Sequence, residues 1–115
     1  MKTSYFGSIK IKGLSDLISI SMKPPKYFLN IVKIYKPLCP SYQLVMEYKK
    51  SIITEYEYER QYYSTILDCL DPKKVYRELG DDSILLCYEK SGEFCHRRLV
   101  AKWFKENLNI DVPEL

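Results

Sequence analysis

The sequence predicts one α/β domain over residues 1–115, a single compact domain with a small, mainly parallel sheet flanked by helices. Three observations carry this expectation. Ile84–Glu89 begins with the unbroken apolar run Ile84-Leu85-Leu86-Cys87, the pattern of a central parallel strand buried on both faces. Helix-start signals recur at Ser41, Thr54 and Asp71. A strand, a short loop and a helix follow one another between Ile84 and Leu108, as in a crossover unit.

Taken in order, Lys2–Phe6 reads as a short first strand closed by Gly7. In Leu17–Met22, Ile18, Ile20 and Met22 alternate with Ser19 and Ser21, the period of a half-buried strand. Pro24-Pro25 ends it by removing two backbone donors and barring an immediate helix. Residues 26–40 keep no period, with Pro37 and Pro40 as breakers, and read as loop with a short helical turn. Ser41 caps a helix to about Ile52, with Leu44, Val45, Tyr48 and Ile52 on its apolar stripe. Thr54-Glu55-Tyr56-Glu57 is a capping box opening a helix to about Leu70, with Tyr62, Tyr63, Ile66, Leu67 and Leu70 inward. Asp71-Pro72 supplies an N-cap and a first-turn proline for a third helix ending near Gly80. A last helix is expected over Cys95–Leu108, and Ile110–Leu115 reads as a short edge strand.

Composition narrows the class. With 46% hydrophobic and 29% charged residues, the chain has the makings of one core and too little polarity for disorder. A domain of this size buries roughly two-thirds of the surface its unfolded chain exposes. The first dozen residues lack the apolar stretch of ~7–15 residues that a secretory leader needs. Ile84–Cys87 is far too short to cross a bilayer. A cytoplasmic protein with no membrane partner is therefore expected, and Cys39, Cys69, Cys87 and Cys95 are expected as reduced thiols. The first 53 residues carry nine lysines against Asp16 and Glu47, and all four arginines lie beyond them. Such a half could touch nucleic-acid phosphates nonspecifically, but lysines lack the guanidinium fork, and solvated surface is the favoured reading. The eleven tyrosines read as core and rim packing rather than a stacking platform for bases.

The concentrated signal is CYEKSGEFCHRR, from Cys87 to Arg98. Ligands of open α/β sheets sit outside the carboxyl ends of the strands, and a helix start offers unpaired N–H groups that favour an anion. Arg97, Glu89 and Cys87 are the expected ligand-binding residues. Helical spacing places Arg97 at a flank where it can curl over the strand end, and Arg98 on the solvent face with Lys102 and Lys105. Cys95 is the candidate nucleophile, because a helix N-terminus and neighbouring cations lower a thiol pKa from ~8.5 to about 3.5–7.5. A small buried residue at the helix start is the equal alternative. His96, the single histidine, is the weaker catalytic candidate. Adjacent helical side chains diverge by ~100°, so a ring nitrogen bonded to backbone or to Glu89 is the favoured role. The C-x7-C-H spacing matches no common zinc pattern, so neither a metal nor a cofactor is expected.

The run ILLCYEKSGEFCHRRLVAKWF resembles the signature of the domain-of-unknown-function 488 family: an apolar strand ending in Cys-x-Glu, then Cys-His-Arg at the start of the final helix. Those positions are Cys87, Glu89, Cys95, His96 and Arg97. The early Ser4-Tyr5-Phe6 and the Pro-rich Tyr35–Pro40 segment, followed by Tyr48-Lys49, extend the resemblance over nearly the whole chain. It implies a compact α/β fold with a mainly parallel sheet. It transfers no catalytic role, because the family has no settled activity. Cys39 stands where many relatives have a small residue such as Ala, which argues against a required ligand there. The functional expectation is capture of an anionic, phosphate- or nucleotide-like small molecule at the Cys87–Arg97 junction, with Cys95 thiol chemistry. The alternatives are a nucleic-acid-processing accessory and a ligand-sequestering module without turnover.

Overall fold

The computed structural model describes residues 1–115. Four strands, β1 (Lys2–Tyr5), β2 (Leu17–Ser19), β3 (Lys33–Ile34) and β4 (Ile84–Cys87), pair in the order β1-β4-β2-β3, and every pairing is parallel. Four helices, α1 (Tyr42–Lys49), α2 (Glu55–Thr65), α3 (Pro72–Leu79) and α4 (His96–Leu108), complete the α/β domain, with short 3₁₀ turns in the connections. No helix is long and apolar enough to cross a membrane.

The helix-start signals act as the sequence implies. Ser41 Oγ accepts the Leu44 N–H at 3.1 Å. Thr54 and Glu57 exchange both bonds of the capping box, at 3.1 and 3.0 Å. Asp71 accepts from Lys73 N–H at 3.0 Å with Pro72 in the first turn, and Gly80 ends α3 at φ 87°, a conformation that only glycine adopts without strain.

Strand β4 is interior, fully buried between β1 and β2. Alternate side chains of β4 and β2 feed two cores, as the two-residue period requires. Leu85, Cys87, Ile18 and Ile20 pack with α1–α4, and Leu99, Val100, Trp103 and Phe104 of α4 are all buried there. Ile84, Leu86 and Leu17 pack on the other face against Phe6, Ile11 and Phe28, from the turns after β1 and β2.

Several expectations are corrected. The alternation in β2 does not mark a half-exposed strand: Ser19 is fully buried, because β2 is also interior, and its hydroxyl is satisfied by the Ser21 carbonyl at 2.7 Å. The Lys26–Pro40 loop holds the two-residue strand β3 and two 3₁₀ turns. Ile52 is exposed, since α1 ends at Lys49 and Ser51 turns the chain at φ 58°. The tail joins the sheet by one parallel bridge, Thr3 to Glu114, rather than by a strand.

Tyr62 shows how the helical layer is locked to the sheet's surroundings. Its ring is fully buried, and its hydroxyl donates at 2.6 Å to the Leu38 carbonyl. Tyr62→Phe keeps the ring and orphans that carbonyl, so urea unfolding is expected to show a loss of about 1–3 kcal/mol. An unchanged midpoint would mean that water replaces the hydroxyl.

Candidate functional site

The connections leaving β2 and β4, which are neighbours, depart toward opposite faces of the sheet. The chain after β2 runs to Phe28 in one core, and the chain after β4 enters α4 in the other. Such a divergence opens a crevice beyond the carboxyl ends of parallel strands. A cavity of about 300 Å³ lies there. Ser21, Met22 and Lys23 contribute from the end of β2, and Tyr88, Glu89, Phe94, Cys95 and His96 from the β4–α4 connection. Tyr42, Val45, Met46, Tyr48 and Lys49 of α1 and Tyr58 of α2 close it.

Cys95 is the N-cap of α4, in extended conformation at φ −151° and ψ 144°, and gives its helix no side-chain cap. That extended residue breaks the 100° helical divergence, so Cys95 Sγ approaches His96 Nδ1 to 3.7 Å although the residues are adjacent. The other ring nitrogen, Nε2, donates to the Ile20 carbonyl at 2.7 Å, the backbone anchor that the sequence favoured. Burial pushes the His96 pKa down to about 4; the Ile20 bond opposes this and the Arg97 charge adds to it. His96 is therefore a neutral imidazole whose Nδ1 keeps its lone pair.

Four free thiols were expected, and two are not free. Cys87, at the end of β4, and Cys95 are joined in a disulfide, while Cys39 and Cys69 remain free. Strand end and helix start face each other across the loop, which brings their sulfurs together. In this state Cys95 carries no nucleophilic thiol; that role requires reduction. Burial pushes the Cys39 thiol up to about 11.

Arg97 does curl over the strand end, but as a buried structural cation rather than an open ligand contact. It is 1% exposed, and its Nη1 donates to the Glu89 carbonyl at 2.7 Å and to Cys87 Sγ at 3.1 Å. Its Nε and Nη2 donate to the Glu114 carboxylate, the shortest contact being 2.7 Å. Burial alone would raise the Glu114 pKa, but bonds from Arg97, Thr3 and Ser91 outweigh it and hold the carboxyl at about 2. Arg98 is half-exposed beside the solvent face and donates to Thr3 Oγ1 and the Val112 carbonyl. Both arginines therefore point to the tail, away from the cavity.

The cavity's charged groups are Glu89, Lys23 and Lys49, and Ser21, His96 and the tyrosines add polar atoms to its lining. Glu89 lies just past the end of β4, half-buried, and its carboxylate makes no hydrogen bond or ion pair within the chain. Burial first, then the nearby Glu89 charge, pushes the Tyr58 hydroxyl far up. The aromatic wall of Tyr42, Tyr48, Tyr58 and Tyr88 escaped the sequence reading, which assigned the tyrosines to packing. Its only trace in the sequence was their number. Spacing within one helix cannot show that α1, α2 and the β4–α4 loop share a cavity.

Residues 19–108 match the family model described as the active DUF488-N3 subclade, a span that takes in β3, β4, all four helices and every cavity residue. No curated protein and no solved structure matches the chain.

Two measurements test the site's chemistry. Brief iodoacetamide treatment of the untreated protein should label Cys69 first and spare Cys39, with Cys87 and Cys95 labelled only after reduction; labelling at Cys95 before reduction would refute the pairing. The Glu114 ion pair should also set acid stability. A carboxyl depressed in the folded state gives stability that is whole above its ordinary value of 4.5 and is lost as pH falls toward about 2. Urea midpoints stepped through that window should fall in the native protein and flatten in Glu114→Gln. Equal slopes would mean that the pair contributes nothing.

Proposed function

The chain belongs to the DUF488 family, and from that premise we propose that it binds an anionic small molecule of the nucleotide kind. The ring would lie in the cavity beyond β2 and β4, and the phosphate at its lysine rim. The observation that carries this reading is the lining itself. Four tyrosines and Phe94 offer flat, apolar faces, and the only carboxylate among them, Glu89, is unpartnered. Base–aromatic stacking contributes about 1–3 kcal/mol per base, and any planar heterocycle can use it. A free carboxylate at the wall of a ring-sized pocket accepts from ring N–H or exocyclic amino groups. Lys23 and Lys49 stand at the same cavity and supply positive charge for a phosphate. The uncapped N-terminus of α4 adds the positive end of its dipole beside Cys95 and His96.

This moves the anion contact from Arg97, which is buried and engaged by Glu114, Glu89 and Cys87, to the lysine rim. The description of the matched subclade as active is said of the family model; here the support is the unsatisfied lining. A small molecule is favoured over a polymer because the cavity, at about 300 Å³, is the size of one nucleotide-like ligand rather than a groove.

A thermal-shift panel of nucleobases, nucleosides, nucleotides and inorganic phosphate tests the proposal. A nucleotide at a hundred times its dissociation constant should stabilise by about 2.7 kcal/mol, roughly 10 °C for this size. Phosphate alone should do little. Tyr42 is exposed and lines the cavity, so Tyr42→Ala should fold normally and weaken binding about tenfold. Lys49→Ala should weaken nucleotides but not bare nucleosides. A panel without shifts, or shifts indifferent to Tyr42, would refute the reading.

A further inference from the structure

We propose that, once the Cys87–Cys95 disulfide is reduced, Cys87, Cys95 and His96 bind a zinc ion whose fourth coordination position opens into the aromatic cavity. The three ligand atoms lie within 4.8 Å of one another, all on buried residues. The C-x7-C-H spacing, unlike that of common zinc motifs, does not prevent this, because one ligand comes from a strand end and two from a helix start. Fold geometry, rather than local sequence, closes the set.

The geometry suits the ion at each ligand. Zinc–sulfur and zinc–nitrogen bonds of ~2.3 and ~2.0 Å at a tetrahedral angle put sulfur and nitrogen about 3.5 Å apart. Cys95 Sγ and His96 Nδ1 stand at 3.7 Å. His96 Nε2 donates to the Ile20 carbonyl, so the lone pair is on Nδ1, the atom that faces the sulfurs. A ring nitrogen tied to a carbonyl in this way is the usual support of a metal-ligating histidine. The Cys87 and Cys95 Cα atoms are 7.4 Å apart. That exceeds the ~4.4–6.8 Å that disulfides ordinarily span, so the backbone leaves the sulfurs room to part around an ion.

Charge is balanced as well. Two thiolates and a neutral imidazole neutralise a divalent ion, so a buried site carries no net charge. The neighbouring cation, Arg97, is already cancelled by Glu114, and its Nη1 donates to Cys87 Sγ at 3.1 Å, the support a ligating thiolate needs. Two sulfurs and an imidazole select zinc over the hard cations magnesium and calcium. Cys95 and His96 line the cavity, so the exchangeable position faces the space where a ligand would enter. Three protein ligands and one open position are the arrangement of zinc sites that act on a bound molecule.

Loading begins with a dithiol reductant. Two electrons pass from it to the Cys87–Cys95 bond, which breaks; its two protons go to the two sulfurs, and it closes its own disulfide. Zinc then displaces both protons to solvent. Disulfide and metal are mutually exclusive because they use the same sulfur electrons.

The test uses the full chain with cobalt(II) and zinc(II) as probes. After phosphine reduction and removal of the reductant under argon, cobalt should give the intense visible bands of a tetrahedral ion and a thiolate charge-transfer band. Zinc should displace it at a single ion per chain. The oxidised wild type, folded and with its disulfide closed, should bind neither. Cys87→Ser, Cys95→Ser and His96→Gln should lose the spectrum, and Cys39→Ser and Cys69→Ser should keep it. Tyr42→Ala should also keep it, so that failure of ring binding and failure of metal binding read separately. Reduced wild type that takes up no metal would overturn the inference. So would uptake that persists in the oxidised protein or depends on Cys39 or Cys69.

Discussion

The buried guanidinium of Arg97 fixes the geometry on which the rest of the site depends. An unpaired charge at 1% exposure would cost several kcal/mol, so the chain must bring partners to it. It does so with three groups from two distant places: the Cys87 sulfur and Glu89 carbonyl at and just beyond the end of β4, and the Glu114 carboxylate in the tail. Tyr5 of β1 adds its ring at 5.9 Å. Glu114 is held in turn by Thr3 and Ser91, and one parallel bridge fastens the tail to β1. The first turn of α4 is thereby fixed in rotation about its own axis. With Arg97 committed to the tail side, His96 is directed to the Ile20 carbonyl, and Cys95 is brought against Cys87.

The cavity follows from the same constraint together with the strand order. Inserting β4 between β1 and β2 places two neighbouring parallel strands whose continuations separate to opposite faces. Something must cover the gap, and α1 and α2 do so with tyrosines, which combine an apolar body with a polar tip. Tyr48, Tyr58 and Phe94 form a cluster of edge-on and tilted rings with centroids 5.2–5.6 Å apart, leaving the space bounded rather than filled. Tyr88 is pinned on the far side by the bond from its hydroxyl to the Lys23 carbonyl, which ties the two diverging connections together.

How much of this was legible in the sequence depended on range. The capping box at Thr54, the Asp71-Pro72 start and the apolar β4 are encoded within a few residues, and each was read correctly. The run that carried the family resemblance spans the β4–α4 connection, where the disulfide forms and five of the cavity residues lie. What failed was long-range. Helical spacing rightly put Arg97 at a flank, but no local pattern shows that Glu114 returns to meet it across 17 residues. β3 has only two residues, too few for a period to show, and its existence depends on pairing with β2. The alternation of Ser19 and Ser21 suggested a wet face, but a buried serine satisfied by a nearby carbonyl carries the same letters. The Cys87–Cys95 pairing was missed because composition argued for thiols, whereas the bond depends on two backbone ends meeting in space.

The start of α4 thus has two sides of opposite character. On the tail side, Arg97, Glu114, Thr3 and Ser91 bond to one another, which commits most of their bonding capacity within the chain. On the cavity side, His96 keeps a lone pair on Nδ1, Glu89 keeps a carboxylate without a donor, and the helix keeps an uncapped N-terminus. Held but unsatisfied polar groups beside an apolar wall cost stability, and a fold keeps them in place only because neighbouring interactions over-determine their positions. Here the over-determining interactions are those on the tail side, made by the next residue of the same helical turn. The ion pair between Arg97 and Glu114 therefore belongs to the site as its support, and the groups available to meet another molecule are those it holds in place without bonding to them.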